Sequence, residues 1–336
     1  MKHPRISIVT PSFNQGKYLE QTILSILEQK YPNLEYIIID GGSTDNSVEI
    51  IKKYEKQLSY WVSEKDKGQS DALSKGLKKV TGDLFNWINS DDLLEEGALS
   101  ALSEAYRLNP DKKVFCFGLN YLEGNKRSKF KMQNDPEDKI QCFTDPVISQ
   151  PATFYSTEVV KKIGGVNTLL HYSMDYEWWL KFMFLYGNEH IFSSKEIIAA
   201  FRTHPEAKTS QGHDNFVNDM ATMLYSLALK TGLEDLAKIL LRAFAINEKY
   251  EFVLSGEKFN TGIVERMVVC FLLKWRSSIY TKEDFLVAKV ILNKINFQKY
   301  ELSAKELHWL NVLKKSSRAS SWVEFRAKRK LRHLLK

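Results

Sequence analysis

The sequence predicts an α/β fold in which a central, mostly parallel sheet is flanked by helices and followed by a helical C-terminal region. Three observations carry this expectation. Strand and helix signals alternate over roughly the first 90 residues, polar clusters recur where three strands should end, and beyond Gly212 apolar residues keep helical spacing.

Residues 5–10 (RISIVT) form a short apolar run, closed by the turn PSFNQG, after which Tyr18, Ile23, Ile26 and Leu27 recur at helical spacing. Residues 36–39 repeat the strand signal, and 44–56 repeat the helix with Val48, Ile51 and Tyr54 on one face. A third strand is expected over 60–63, a third helix over 69–79 and a fourth strand over 83–89. The order β-α-β-α-β-α-β favours parallel strands, because each crossover returns the chain to the same sheet edge. After about residue 110 the rhythm changes. Strands are expected at 114–122, 128–132 and 147–154, and a helix at 175–185. Helical periodicity then continues through 216–229, 233–245, 264–279 and 285–295, so the chain is divided into 1–213 and 214–336.

Composition narrows the classes. With 43% hydrophobic and 26% charged residues, the 336-residue chain can bury a full core. The formal charge of +7 is unevenly spread: residues 314–336 carry nine basic side chains and one acid, leaving the remaining chain close to neutral. That distribution speaks against a nucleic-acid-binding body. Cys116, Cys142 and Cys270 lie far apart with no metal-finger spacing, which fits a reducing compartment. No leader layout precedes the first strand, and the longest apolar stretch, 267–273, is too short to span a bilayer.

In open α/β sheets, ligands gather beyond the carboxyl ends of the strands. The first strand ends in Thr10-Pro11-Ser12-Phe13-Asn14, the second in Asp40-Gly41-Gly42-Ser43-Thr44-Asp45 and the fourth in Asn89-Ser90-Asp91-Asp92. An acid at Asp40 suits a ribose or a nucleobase imide, with helix capping as the competing reading. Paired carboxylates at Asp91 and Asp92 suit a hard cation such as Mn²⁺ or Mg²⁺. Their competing reading is the acidic N-terminus of a helix over 93–102. A third loop, residues 64–71, leads into a helix carrying Lys75, where amide groups and a lysine favour phosphate.

The segments ISIVTPSFNQGKYLEQTILSIL, IIIDGGSTDNS, EKDKGQSDALSKG, WINSDD, ISQPATFY and HYSMDYEWWLKF together resemble the family 2 glycosyltransferases with the GT-A fold, a Rossmann-like architecture. The resemblance covers about residues 5–210 and leaves the last third unmatched. It implies a cytoplasmic enzyme that transfers a sugar from a nucleoside-diphosphate sugar, UDP-linked by preference, with inversion. On that pattern Thr10, Pro11, Ser12, Asn14, Asp40, Asp66, Lys75, Asn89 and Ser90 hold the nucleotide, and Asp91 and Asp92 hold the metal. Asn89 stands where the first Asp of an Asp-x-Asp motif often lies, which removes one charge from the set.

Transfer to a hydroxyl needs a base on the face opposite the leaving group, and Asp175, opening the helix DYEWWLKFMFLYG, is the candidate. Family members often carry Glu before this Asp, where this chain has Met174. By the same resemblance, Trp178 forms an acceptor wall, Gln150 is an acceptor-side amide, His204 completes the metal site and Lys208 neutralises the diphosphate. The acceptor is expected to be a glycan or lipid-linked glycan of cell-envelope polysaccharide synthesis. The competing function is a catalytically inactive sugar-nucleotide or glycan-binding protein, which would have no use for both a metal pair and a separate base. On a helix, Val323, Ala327, Leu331, Leu334 and Leu335 form an apolar stripe against an Arg/Lys face, which fits peripheral attachment to an anionic membrane surface. Packing of that stripe on the chain's own helices is the competing reading.

Overall fold

The computed structural model describes residues 3–124, 126–129, 136–256 and 258–327. It divides into two compact units, one formed by Met1–Cys142, Pro146–His213 and Leu254–Glu257, the other by Phe143–Asp145, Asp214–Val253 and Lys258–Lys336. The elements run β1 (Ile6–Ser12), α1 (Gly16–Leu27), β2 (Leu34–Asp40), α2 (Ser47–Tyr54), β3 (Tyr60–Ser63), α3 (Gln69–Leu77), β4 (Leu84–Trp87), β5 (Leu93–Leu94), α4 (Ala98–Leu108), β6 (Val114–Glu123) and β7 (Lys126–Lys129). They continue through α5 (Lys139–Thr144), β8 (Thr153–Ser156), α6 (Thr157–Ile163), α7 (Met174–Tyr186), β9 (Ile191–Thr203) and α8 (Lys208–Gln211). The helical unit holds α9 (His213–Lys230), α10 (Glu234–Ala243), α11 (Thr261–Arg276), α12 (Lys282–Lys294) and α13 (Ala304–Ser316).

The nine strands among the described residues form one sheet in the order β3-β2-β1-β4-β8-β6-β9-β5, with β7 paired to β6. The first four are parallel, as the β-α alternation requires. Beyond β4 both orientations occur: β8 runs antiparallel to β4 and β6, whereas β6 and β9 are parallel. Ile6, Ile8 and Ile38 on the strands meet Leu19, Ile23 and Ile26 of α1 and Leu99 and Leu102 of α4 in the buried core. Each such side chain contributes about 1.5–3 kcal/mol on burial.

Two expected elements differ. The strand expected at 147–154 is a 3-10 turn over Gln150–Ala152 before β8, because Pro151 has no N–H to give to a ladder. The 128–132 strand is β7, which lies at 126–129; residues 130–132 fall outside the described residues. β9, 13 residues long, was not expected, since its middle (SSKE) breaks the apolar alternation. Two helices of the helical unit, α12 and α13, open on capping boxes, Thr281 with Asp284 and Ser303 with Glu306. No helix among the described residues is long and apolar enough to cross a membrane.

Candidate active site

The parallel register sets Ser12 beside Asp40 and Asp40 beside Ser63, so three polar residues stand abreast at the carboxyl edge. Asp40 is wholly buried. One of its oxygens accepts from Gly42 N–H (3.1 Å), Ser43 N–H (2.9 Å) and Ser63 Oγ (2.6 Å), and the other from Ser43 Oγ (2.5 Å). Asp40 therefore shapes the loop that follows it. Asn14, at φ +52°, donates its backbone N–H to Ser43 Oγ (2.8 Å) and accepts from Thr44 N–H (2.8 Å), which ties the first two loops together. Pro11 is buried in β1, and the Ser12 hydroxyl is buried without a hydrogen-bond partner among the described residues. Thr10 departs from its expected ligand role: it is fully buried and bonded to Tyr36 Oη at 3.1 Å.

Asp66 closes the same corner. It accepts from Gly68 N–H (2.8 Å), and a Cβ on Gly41 would sit 2.7 Å from Asp66 Oδ2, so a side chain at 41 would displace the Asp66 carboxylate. Lys75 is held by Glu64 (2.9 Å) and Asp71 (3.6 Å). The hydrogen bond to Glu64 raises its pKa against burial, with the charges of Glu64, Asp71 and Asp66 adding to the rise. Its charge is thus already matched.

The competing reading of Asp91 and Asp92 fails on topology. Leu93–Leu94 pairs with β9, and the helix begins only at Ala98, so neither carboxylate opens it. The two acids also separate by environment. Asp92 is 1% exposed and accepts from Arg202 N–H and Asn89 Nδ2, both at 3.0 Å. Burial, then the charge on Asp91, holds the Asp92 carboxyl well above the usual range. Asp92 is therefore a brace for the loop and not the second metal ligand expected for it. Asp91 Oδ2 instead lies 3.0 Å from His204 Nε2, while His204 Nδ1 faces Glu206 at 3.3 Å and its ring lies 4.6 Å from that of Tyr18.

Adjacent ligands of an octahedral cation at about 2.0–2.1 Å stand roughly 3 Å apart. Asp91 and His204 fit that separation, and Glu206 is placed to orient the imidazole from behind. No group of three or more His, Cys, Asp or Glu with metal-binding geometry occurs among the described residues. A cation held by these two donors would take its remaining ligands from water and substrate oxygens.

Helix α1 runs along this loop. Thr22 Oγ1 reaches the carbonyls of Ser90 (3.0 Å) and Asp92 (2.8 Å), Ser25 Oγ accepts from Leu94 N–H (3.1 Å) and Gln29 donates to Glu95 O (2.8 Å). Thr22 and Ser25, at i and i+3, share a face of α1, and Gln29 follows in the turn beyond its end. Sequence reasoning passed over these residues although the period was visible.

A second chain of polar contacts crosses the cleft. Lys208 Nζ donates to Gln69 (2.9 Å) and to His171 O, Gln69 donates to Asn89 (2.7 Å), and Asn89 reaches Asp92. Gln150, expected to meet the acceptor, uses its amide to hold β4: Nε2 donates to Asn86 (3.0 Å) and Trp87 O (2.7 Å), and Oε1 accepts from Asn89 (3.4 Å). Trp178 is also not a cleft wall. It is fully buried, its indole donates to Gly165 O (2.8 Å), and its ring packs against Phe85, Trp87 and Tyr155. Trp179 is likewise core, donating to Cys142 O at 2.7 Å.

Asp175 lies in the first turn of α7 and accepts from Tyr176 N–H at 2.8 Å. Burial pushes its carboxyl up to about 6, against that hydrogen bond and the nearby Lys208 charge.

A glycosyl transferase family 2 model matches residues 7–164. An uncharacterised glycosyltransferase of Mycobacterium tuberculosis is 30% identical over 185 residues, which span 53% of this chain and 68% of that protein. Among solved structures, S. aureus TarS in complex with UDP-GlcNAc is similar with a TM-score of 0.58 at 17% identity, covering 93% of this chain and 80% of that one. The mannosyltransferase PcManGT from Pyrobaculum calidifontis, in complex with GDP-Man and Mn²⁺, is similar with a TM-score of 0.50 at 15% identity, covering 94% and 88%. On this similarity, together with the sheet order and loop sequences above, the chain belongs to glycosyltransferase family 2.

Proposed function

We propose that the protein is an inverting, metal-dependent transferase that moves a sugar from a nucleoside-diphosphate sugar, UDP-linked by preference, to a hydroxyl of a glycan or lipid-linked glycan in cell-envelope polysaccharide synthesis. The observation that carries this reading is Asp175, a carboxylate raised to about 6 and separate from the Asp91–His204 pair. Two acids in contrasting surroundings serve two tasks. Asp175 takes the proton of the acceptor hydroxyl as its oxygen attacks the anomeric carbon, and the bond from that carbon to the diphosphate oxygen breaks on the opposite face. Ser12, Asn14, Asp40 and Asp66 form the nucleoside corner, and Lys208 supplies positive charge near the leaving group. Mn²⁺ or Mg²⁺ held by Asp91 and His204 contributes Lewis acidity toward the developing diphosphate.

The nucleotide sugars named for TarS and PcManGT support a donor of this class, and the UDP-GlcNAc of the former supports uridine. A thermal-shift screen of UDP-, GDP- and dTDP-sugars with and without Mn²⁺ tests it. UDP-sugars should raise Tm by several degrees only when Mn²⁺ is present; stabilisation by none of the three classes would overturn the reading.

The proposal includes attachment to an anionic membrane surface through residues 314–336. Residues 322–327 are helical, and Trp322 and Phe325 pack around Phe285, whereas Val323 is 76% exposed and Ala327 is exposed. The described part of the apolar stripe is thus open to solvent, which favours a lipid partner over packing on the chain's own helices. Its continuation through Leu331, Leu334 and Leu335 lies outside the described residues.

A further inference from the structure

Arg202 is 7% exposed, and among the described residues its guanidinium forms no ion pair with a carboxylate. A buried charge is costly unless its donors are met, so its partners matter. Nε donates to the main-chain carbonyl of Asp91 (2.8 Å), one terminal nitrogen donates to Gln21 Oε1 (2.8 Å), and the guanidinium lies 4.9 Å from the centre of the Tyr18 ring. The Arg202 backbone N–H meanwhile donates to Asp92 Oδ1 (3.0 Å). Tyr18 also packs against His204. Two residues of α1, one turn apart, therefore hold the cation that holds Asp91, and one of them touches the imidazole facing Asp91.

We propose that Arg202 is the positioning residue of the cation site: it fixes the Asp91 main chain from β9 while Gln21 and Tyr18 fix the guanidinium from α1, so that Asp91 and His204 stand paired before metal or donor arrives. The inference rests on the reading of Asp91 and His204 as cation donors. Arginine is needed because its rigid fork serves a carbonyl and an amide oxygen at once while its plane lies against a ring, which a lysine cannot reproduce.

The test is Mn²⁺ titration of the full chain, followed by electron paramagnetic resonance, for Arg202→Lys, Gln21→Ala and Asp91→Ala. Arg202→Lys should weaken Mn²⁺ by about 10–100-fold, the range for residues that orient metal ligands. Gln21 is exposed, so Gln21→Ala should fold with an unchanged urea midpoint and still bind Mn²⁺ about threefold more weakly, which keeps the test sound if the arginine variant does not fold. At saturating Mn²⁺, Arg202→Lys should regain its kcat, a rescue that general loss of structure would not allow. Wild-type Mn²⁺ affinity in both variants, with binding lost in Asp91→Ala, overturns the role of Arg202. Unchanged affinity in Asp91→Ala overturns the cation reading beneath it.

Discussion

A carboxylate works as a base near neutrality only if its surroundings weaken its acidity, and at Asp175 burial does so. Asp175→Asn should lower kcat by about 10²–10⁴-fold while leaving donor-induced thermal shifts intact. The wild-type rate should fall about tenfold per pH unit below about 6, as the base becomes protonated. The same shift bears on stability. Its pKa in the folded chain lies above the ordinary 3.8, so the stabilising contribution is complete below that value and is lost as pH rises through about 6. At pH 7 Asp175→Asn should therefore be more stable in urea by on the order of 1–3 kcal/mol, the opposite sign to its effect on rate. Residue type singled out Asp175 as a candidate, because a carboxylate opening an aromatic helix stands out. It did not distinguish Asp91 from Asp92, or an exposed Trp178 from a buried one, since burial is set by β9 and by strands distant in sequence.

Among the elements, α1 does more than cover the sheet. Through Thr22 and Ser25 it grips the main chain from Ser90 to Leu94, and Gly16 at its start donates to Asp45 Oδ2 at 2.8 Å beside the second loop. One helix thus spans the loop after β2 and the loop over residues 90–94. Thr22→Val keeps the shape and removes the hydroxyl, leaving buried carbonyls unmatched. It should cost about 1–3 kcal/mol in urea unfolding and raise the Mn²⁺ needed for half-maximal rate, measured in steady-state assays. The parallel β-α repeats were legible because their periodicity is local. The turn at Pro151 and strand β9 were not, because each depends on pairing that local pattern does not encode.

For the molecule as a whole, charge is concentrated in one terminal segment, and that segment defines a separable test. A chain ending at Ala327 loses five of the nine basic residues of 314–336 and the apolar Leu331, Leu334 and Leu335. At about 1 kcal/mol per basic residue near an anionic surface, it should float far less with phosphatidylserine vesicles while keeping its response to nucleotide sugar. Equal flotation would remove these residues from any membrane role. Asn89, set against the commoner Asp of its family, gains a different meaning from its contact with Asp92. Its amide gives a hydrogen to a carboxyl that burial already disfavours as an anion, and an acid at 89 would offer an added negative charge in its place. Positions 89 and 92 are therefore coupled by charge, and a change at one alters what the other can carry.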